Sequence, residues 1–233
     1  MSDSHRNDFI KKARIFSSLN DSEIELIVSR LSVKQFIKGE TILYEEDTNQ
    51  YMYVIMLGRV KVVRATEEGK EIILAIHQAG SFFGEMSLID GKTAPASVLA
   101  IEDSLVAIIT KKDFFEIVFS QNKVTHNLLK ILCDRLRKSW DTIQLLNFNN
   151  AAQRTKMMLL MLADEHGTKS PEGTTINIKL THQELSDMTG LTRETITRVI
   201  DKMQKSGEIV VLKETKFIRL TPDFVKKDDD VLV

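Results

Sequence analysis

Glycine placement constrains this chain more than any other feature. Gly39, Gly58, Gly69, Gly80, Gly84 and Gly91 punctuate the first hundred residues, and the next glycine is Gly167. Short apolar runs lie between and after the early glycines: Tyr51–Leu57, Val60–Val63, Ile72–Ile76, Val98–Ile101 and Leu105–Ile109. Short β-rich runs with turn residues at such spacing predict an antiparallel sandwich or barrel. Upstream, Ser22–Leu31 has apolar residues at helical steps, with candidate N-caps at Asn20 to Ser22.

The pattern then changes. No glycine or proline occurs from Lys111 to Leu146, and Val124, Leu128, Leu132, Leu136, Ile143 and Leu146 form a stripe at helical spacing. Pairing with a second copy would cover that stripe; packing on the chain's own barrel is the alternative. Asn147-Phe-Asn-Asn150 reads as a hinge, Ala151–His166 as a helix, and Gly167–Gly173 as a loop. Two strand-like runs follow later, Ile209–Leu212 and Phe217–Leu220, and the charged stretch Lys226–Asp230 reads as a solvated tail.

Composition removes several function classes. No apolar run reaches the roughly 18 residues needed to span a bilayer, and Met1–Asp8 lacks the apolar core of a signal peptide, so a cytoplasmic protein without membrane contact is expected. Cys133 is the single cysteine, which rules out a cysteine-ligated iron-sulfur cluster within one chain. Its helical neighbourhood predicts a buried or half-buried thiol. The histidines at 5, 77, 126, 166 and 182 show no metal-ligand spacing, so no metal site is expected. No nucleophile-base grouping or phosphate-binding glycine loop suggests an enzyme. Net charge is −1, so contact with nucleic acid requires a local basic face.

Such a face is present near the C-terminus. Thr181-His-Gln-Glu184 is a capping box opening a short helix that stops at Thr189-Gly190-Leu191, and Thr192 caps a second helix. In that second helix Ile196, Val199, Ile200 and Met203 form a buried stripe, while Arg193, Glu194, Thr197 and Arg198 lie opposite, at the N-terminal end. Arginine can grip guanine O6 and N7 together, and a carboxylate can accept from cytosine N4. Glu194 and Arg198 are one turn apart, a spacing that predicts mutual restraint of their rotamers. Residues 192–219 carry seven Lys/Arg (193, 198, 202, 205, 213, 216, 219) against four acids (194, 201, 208, 214), so charge alone does not decide for DNA.

The stretch Leu180–Val199 resembles the winged helix-turn-helix of the cyclic-AMP receptor protein/FNR family of bacterial transcription regulators, and the likeness extends over residues 8–222. It implies an α+β chain: a β-roll (jelly roll) effector domain at 1–120, a dimerisation helix at 121–147 and a winged helix-turn-helix at 148–233. It also implies a homodimer reading TGTGA-like half-sites of double-stranded DNA. Arg193, Glu194 and Arg198 fall at base-reading positions, with Thr181, Gln183, Thr192 and Thr197 also facing DNA. The Gly167–Gly173 region matches the one that contacts RNA polymerase in activators of the family.

Phe82-Phe-Gly-Glu-Met-Ser-Leu88 resembles the family's phosphate-binding cassette. The effector positions implied are Phe83, Gly84, Glu85, Met86, Ser87, Lys92, Ala94, Pro95, Ser97, Ser139 and Trp140. Two of them depart from the pattern: Ala94 stands where the family has the arginine that pairs with the cyclic phosphate, and Pro95 where it has a hydroxyl residue. Three readings stay open: cyclic AMP or another cyclic nucleotide, a different small effector, or a cassette kept only for the fold. A nucleotide-binding signalling subunit that does not bind DNA is the alternative function.

Overall fold

The computed structural model describes residues 3–226; Met1, Ser2 and residues 227–230 of the expected tail lie outside the described residues. Two compact units divide between Lys138 and Ser139. The first opens with helices α1 (Asp3–Lys12) and α2 (Asp21–Val28), the latter started by a capping box of Asn20 and Glu23. Strands β1 (Ser32–Phe36), β2 (Thr41–Leu43), β3 (Tyr51–Leu57), β4 (Arg59–Ala65), β5 (Glu71–Gln78) and β6 (Phe82–Phe83) follow, then helix α3 (Glu85–Asp90). Strands β7 (Ser97–Ala100) and β8 (Ser104–Thr110) complete the strands of this unit.

The strands form two four-stranded antiparallel sheets, ordered β1-β8-β3-β6 and β2-β7-β4-β5. Phe36, Tyr53, Ile55, Val60, Phe83, Val98 and Val106 meet in one core, built from both sheets. Met52, Val54 and Met56 point the other way, into a second core with residues of α1, α2, α4 (Lys111–Ser120) and α5 (Asn122–Asn147). Strand β3 is therefore covered on both faces, which is why Tyr51–Leu57 reads as an unbroken apolar run.

The expected apolar stripe is not one surface. Val124 and Leu128 are buried in the helix-covered core and Leu132 packs against it, whereas Leu136, Ile143 and Leu146 are exposed. Cys133 is exposed, not buried as expected, because it lies on the side of α5 away from that core.

The second unit contains α6 (Ala151–His166), β9 (Gly167–Ser170), β10 (Gly173–Ile176), α7 (His182–Thr189), α8 (Arg193–Lys205), β11 (Ile209–Val211), β12 (Ile218–Leu220) and α9 (Pro222–Lys226). Its sheet runs β11-β12-β10-β9. The segment expected to be a loop, Gly167–Gly173, is instead β9 and the turn into β10. Strand β9 is exposed throughout, so it has no apolar alternation by which to be recognised.

Residues 147–150 are braced rather than loose. The Arg154 guanidinium donates to the carbonyls of Leu146 (3.1 Å), Phe148 (2.7 Å) and Thr189 (3.1 Å). Among the described residues no helix is long and apolar enough to cross a membrane.

Leu159 is fully buried in α6. Leu159→Ala is expected to cost about 2–5 kcal/mol of stability, read as a lowered urea midpoint for the second unit.

Candidate nucleic-acid interface and ligand cassette

Helices α7 and α8 form a capped pair around one tight turn. Thr181 Oγ1 accepts from the Glu184 amide, and the Glu184 carboxylate accepts from the Thr181 amide. Gly190 ends α7 at φ +65°, in the left-handed region where a side chain is disfavoured. The Ser186 hydroxyl donates to the Leu191 carbonyl at 2.6 Å, closing the corner. Thr192 then caps α8 by accepting from the Thr195 amide.

Ile196, Ile200 and Met203 bury one face of α8. On the other face Arg193, Glu194, Thr197 and Arg198 line a shallow open groove. Arg193, Glu194 and Arg198 are exposed and Thr197 is half-buried. The expected Glu194–Arg198 pairing is not formed: among the described residues no ion pair joins them, and Arg198 Nη2 donates to Thr195 Oγ1 at 3.2 Å. That bond directs Arg198 along its own helix. Gln183 is also exposed and donates to Asp187 at 2.7 Å.

In the first unit the cassette lies at the β6–α3 junction. Gly84 has φ +85°, and a Cβ there would approach the Tyr51 carbonyl oxygen to 2.7 Å and Tyr53 Cδ2 to 2.9 Å, so this position excludes any side chain. Asn49, buried, donates to the carbonyls of Gly84 (2.8 Å) and Tyr51 (2.6 Å). Phe83 stacks on Tyr53 at 4.9 Å.

Glu85 is 1% exposed and Ser87 3%. Arg135 of α5 donates to Glu85 Oε1 at 2.6 Å and to the Phe82 carbonyl at 2.5 Å, and lies over the Phe82 ring at 4.6 Å. Glu85 Oε2 and Ser87 Oγ are buried with no hydrogen-bond partner. Burial pushes the Glu85 carboxyl above its ordinary range; the Arg135 charge opposes this without reversing it.

The remaining effector positions are scattered. Ala94 is 1% exposed and packs in the inter-sheet core, its amide donating to the Asp47 carbonyl at 2.9 Å. Met86, Lys92 and Pro95 are exposed. The Ser97 hydroxyl accepts from the Glu45 amide at 2.9 Å. Ser139 and Trp140 are exposed on the part of α5 that clusters with the second unit. Phe83–Ser87 thus form one continuous segment at the β6–α3 junction, while Ala94 is enclosed by apolar packing between the sheets.

Sequence reasoning overlooked Asn49, Arg135, Arg154 and His182. Arg135 carried a signal, since it is a cation among the apolar residues of α5. Asn49 and Arg154 each also reach a carbonyl 35 residues away, Gly84 and Thr189 respectively, which no local pattern reveals.

Two family descriptions match the chain: "Cyclic nucleotide-binding domain" over residues 33–121 and "Crp-like helix-turn-helix domain" over residues 153–222. The chain is 30% identical over 200 residues to the cyclic AMP receptor protein of Thermus thermophilus, covering 86% of this chain and 89% of that protein. It is 29% identical over 186 residues to the global nitrogen regulator of Synechococcus elongatus, covering 79% and 84%. Among solved structures, a CooA mutant from Carboxydothermus hydrogenoformans shares the fold, with a TM-score of 0.75, 24% identity and coverage of 88% and 89%. The helix-turn-helix match favours a DNA reader over a signalling subunit that leaves DNA alone.

Glu85 also predicts a pH effect. The folded chain keeps the Glu85 proton at pH values where an unfolded chain, titrating near 4.5, has released it. The associated stability is present below that ordinary value and is lost as pH rises through the raised one. Thermal unfolding from acid to neutral pH is expected to show a shallower decline with rising pH for Glu85→Gln than for the unaltered chain.

Proposed function

This chain belongs to the cyclic-AMP receptor protein/FNR family of transcription regulators, and on that footing we propose that it is a homodimeric, sequence-specific DNA-binding regulator under the control of a small effector. One observation carries the DNA reading: Arg193, Glu194 and Arg198 stand exposed together at the start of a capped helix whose opposite face is buried. That end of a recognition helix enters the major groove, where its donors and acceptor match guanine and cytosine edges. A symmetric pair would place two such helices about 34 Å apart, on successive turns of a palindrome with TGTGA-like half-sites.

The exposed side of α5 supports the dimer. Leu129, Leu136 and Ile143 recur every seventh residue, joined by Trp140 and Leu146, and each is between 47% and 59% exposed. A seven-residue apolar repeat on one helix is the pattern that two helices bury against each other. Strand β9, exposed throughout, is read as the surface offered to RNA polymerase. DNA binding places the protein's work in the cytoplasm, and no catalytic step is assigned to it.

The effector is read as a small molecule other than a cyclic nucleotide. Ala94 is sealed in the inter-sheet core, so the roll lacks the arginine that would face a cyclic phosphate. The cation brought to the cassette, Arg135, is engaged with Glu85 and Phe82. A phosphate without its charge-assisted partner loses on the order of 2–5 kcal/mol. Glu85 Oε2 and Ser87 Oγ instead suit a ligand bearing hydrogen-bond donors. Such a ligand controls DNA binding only to the extent that it favours the DNA-competent arrangement over others.

Two measurements test this. In a competition band-shift, Arg193→Ala is expected to reduce the preference for a TGTGA-type duplex over scrambled DNA by about 5- to 150-fold, corresponding to ~1–3 kcal/mol for a bidentate arginine–guanine contact; unchanged preference refutes the base-reading role. For the cassette, Ala94→Arg combined with Pro95→Ser is expected to raise cyclic-AMP affinity at least tenfold in calorimetry. No gain in a variant whose thermal unfolding shows it to be folded counts against the alignment of the pocket.

A further inference from the structure

The hydroxyl of Thr197 lies at the groove on α8 but is already used within the protein. Its oxygen has one proton and two lone pairs. The proton goes to the Arg193 carbonyl, 2.9 Å away. His182 Nδ1, on α7, stands 2.8 Å from the same oxygen. Both contacts are satisfied together when the hydroxyl gives its proton to the carbonyl and the imidazole carries a proton on Nδ1.

The consequence concerns the groove. Arg193, Glu194 and Arg198 reach outward, and Thr197 lies half-buried among them. With its proton on the Arg193 carbonyl and one lone pair facing His182, Thr197 retains one lone pair and its γ-methyl for a base edge. In the major groove the 5-methyl of thymine is the apolar group among the donors and acceptors of the base edges.

We propose that Thr197 is a specificity-determining residue that selects a thymine by methyl-to-methyl contact, and that His182 is the positioning residue that turns the threonine to present that methyl. The inference rests on the DNA-binding reading above. It deepens that reading by assigning a thymine to the residue between the arginines. A base read instead through the remaining lone pair of the hydroxyl would be indifferent to the 5-methyl group.

The test is a band-shift titration of the full chain on a TGTGA-type palindrome, replacing each thymine in turn by deoxyuridine. At one symmetric thymine position the substitution is expected to weaken binding about fourfold, the effect of exposing one methyl group of about 0.8 kcal/mol. Thr197→Ser, which keeps the hydroxyl and lacks the methyl, is expected to bind the thymine and uracil duplexes equally. Thr197→Val, which keeps a methyl and lacks the hydroxyl, is expected to retain discrimination.

Uracil-blind binding by the unaltered chain, with preference over scrambled DNA intact, overturns the role of Thr197 and leaves the DNA reading standing. Undiminished discrimination in Thr197→Ser overturns it equally. Absence of any preference for the palindrome over scrambled DNA overturns the DNA reading, and this inference with it.

Discussion

A carboxylate sealed from water needs a cation or a proton, and in this chain the need is met from another element. Glu85 opens α3 with almost no exposure, and Arg135 reaches from α5 to meet it while also holding the Phe82 carbonyl and covering the Phe82 ring. Leaving either partner buried alone would cost several kcal/mol. The start of the cassette and the first half of α5 are therefore held as one piece. Asn49 secures the cassette from the other side, through the Gly84 carbonyl. Any change at Glu85 therefore bears on the Arg135 contact and, through it, on α5.

Much of this architecture was legible in the residues. The glycine-spaced β runs, the N-cap at Asn20, the capping box at Thr181, and Ile196, Ile200 and Met203 on the buried face of α8 all depend on local chemistry and appear where expected, while Val199 of the same stripe is half-buried. The short strands β1, β2 and β6 and the exposed hairpin strand β9 were not legible. Strands β1, β2 and β6 are held by backbone pairing with partners far away in sequence, β9 pairs with its neighbour β10 while exposed on every residue, and none of them shows a side-chain rhythm. The stripe on α5 misled for a related reason. One periodicity served two surfaces, and only packing shows that Val124 and Leu128 turn inward while Leu136 and Ile143 do not.

The candidate site was legible as to residues and less so as to roles. Arg193, Glu194 and Arg198 stand on the expected face, but Arg198 is steered by Thr195 instead of Glu194. Thr197 and His182 lie fifteen residues apart on neighbouring helices, and their contact emerges only from the angle of the corner at Gly190. In the roll, the substitution at Ala94 could be read from the chain, whereas the way the surrounding core closes over it could not.

Arg154 changes what the short linker after α5 can do. Its guanidinium clasps a carbonyl of the last turn of that helix, one in the linker, and the one at the corner between α7 and α8. One side chain therefore ties the last turn of α5, the linker and the α7–α8 corner together within the second unit. The end of α5 is thereby carried as part of the body that holds α7 and α8.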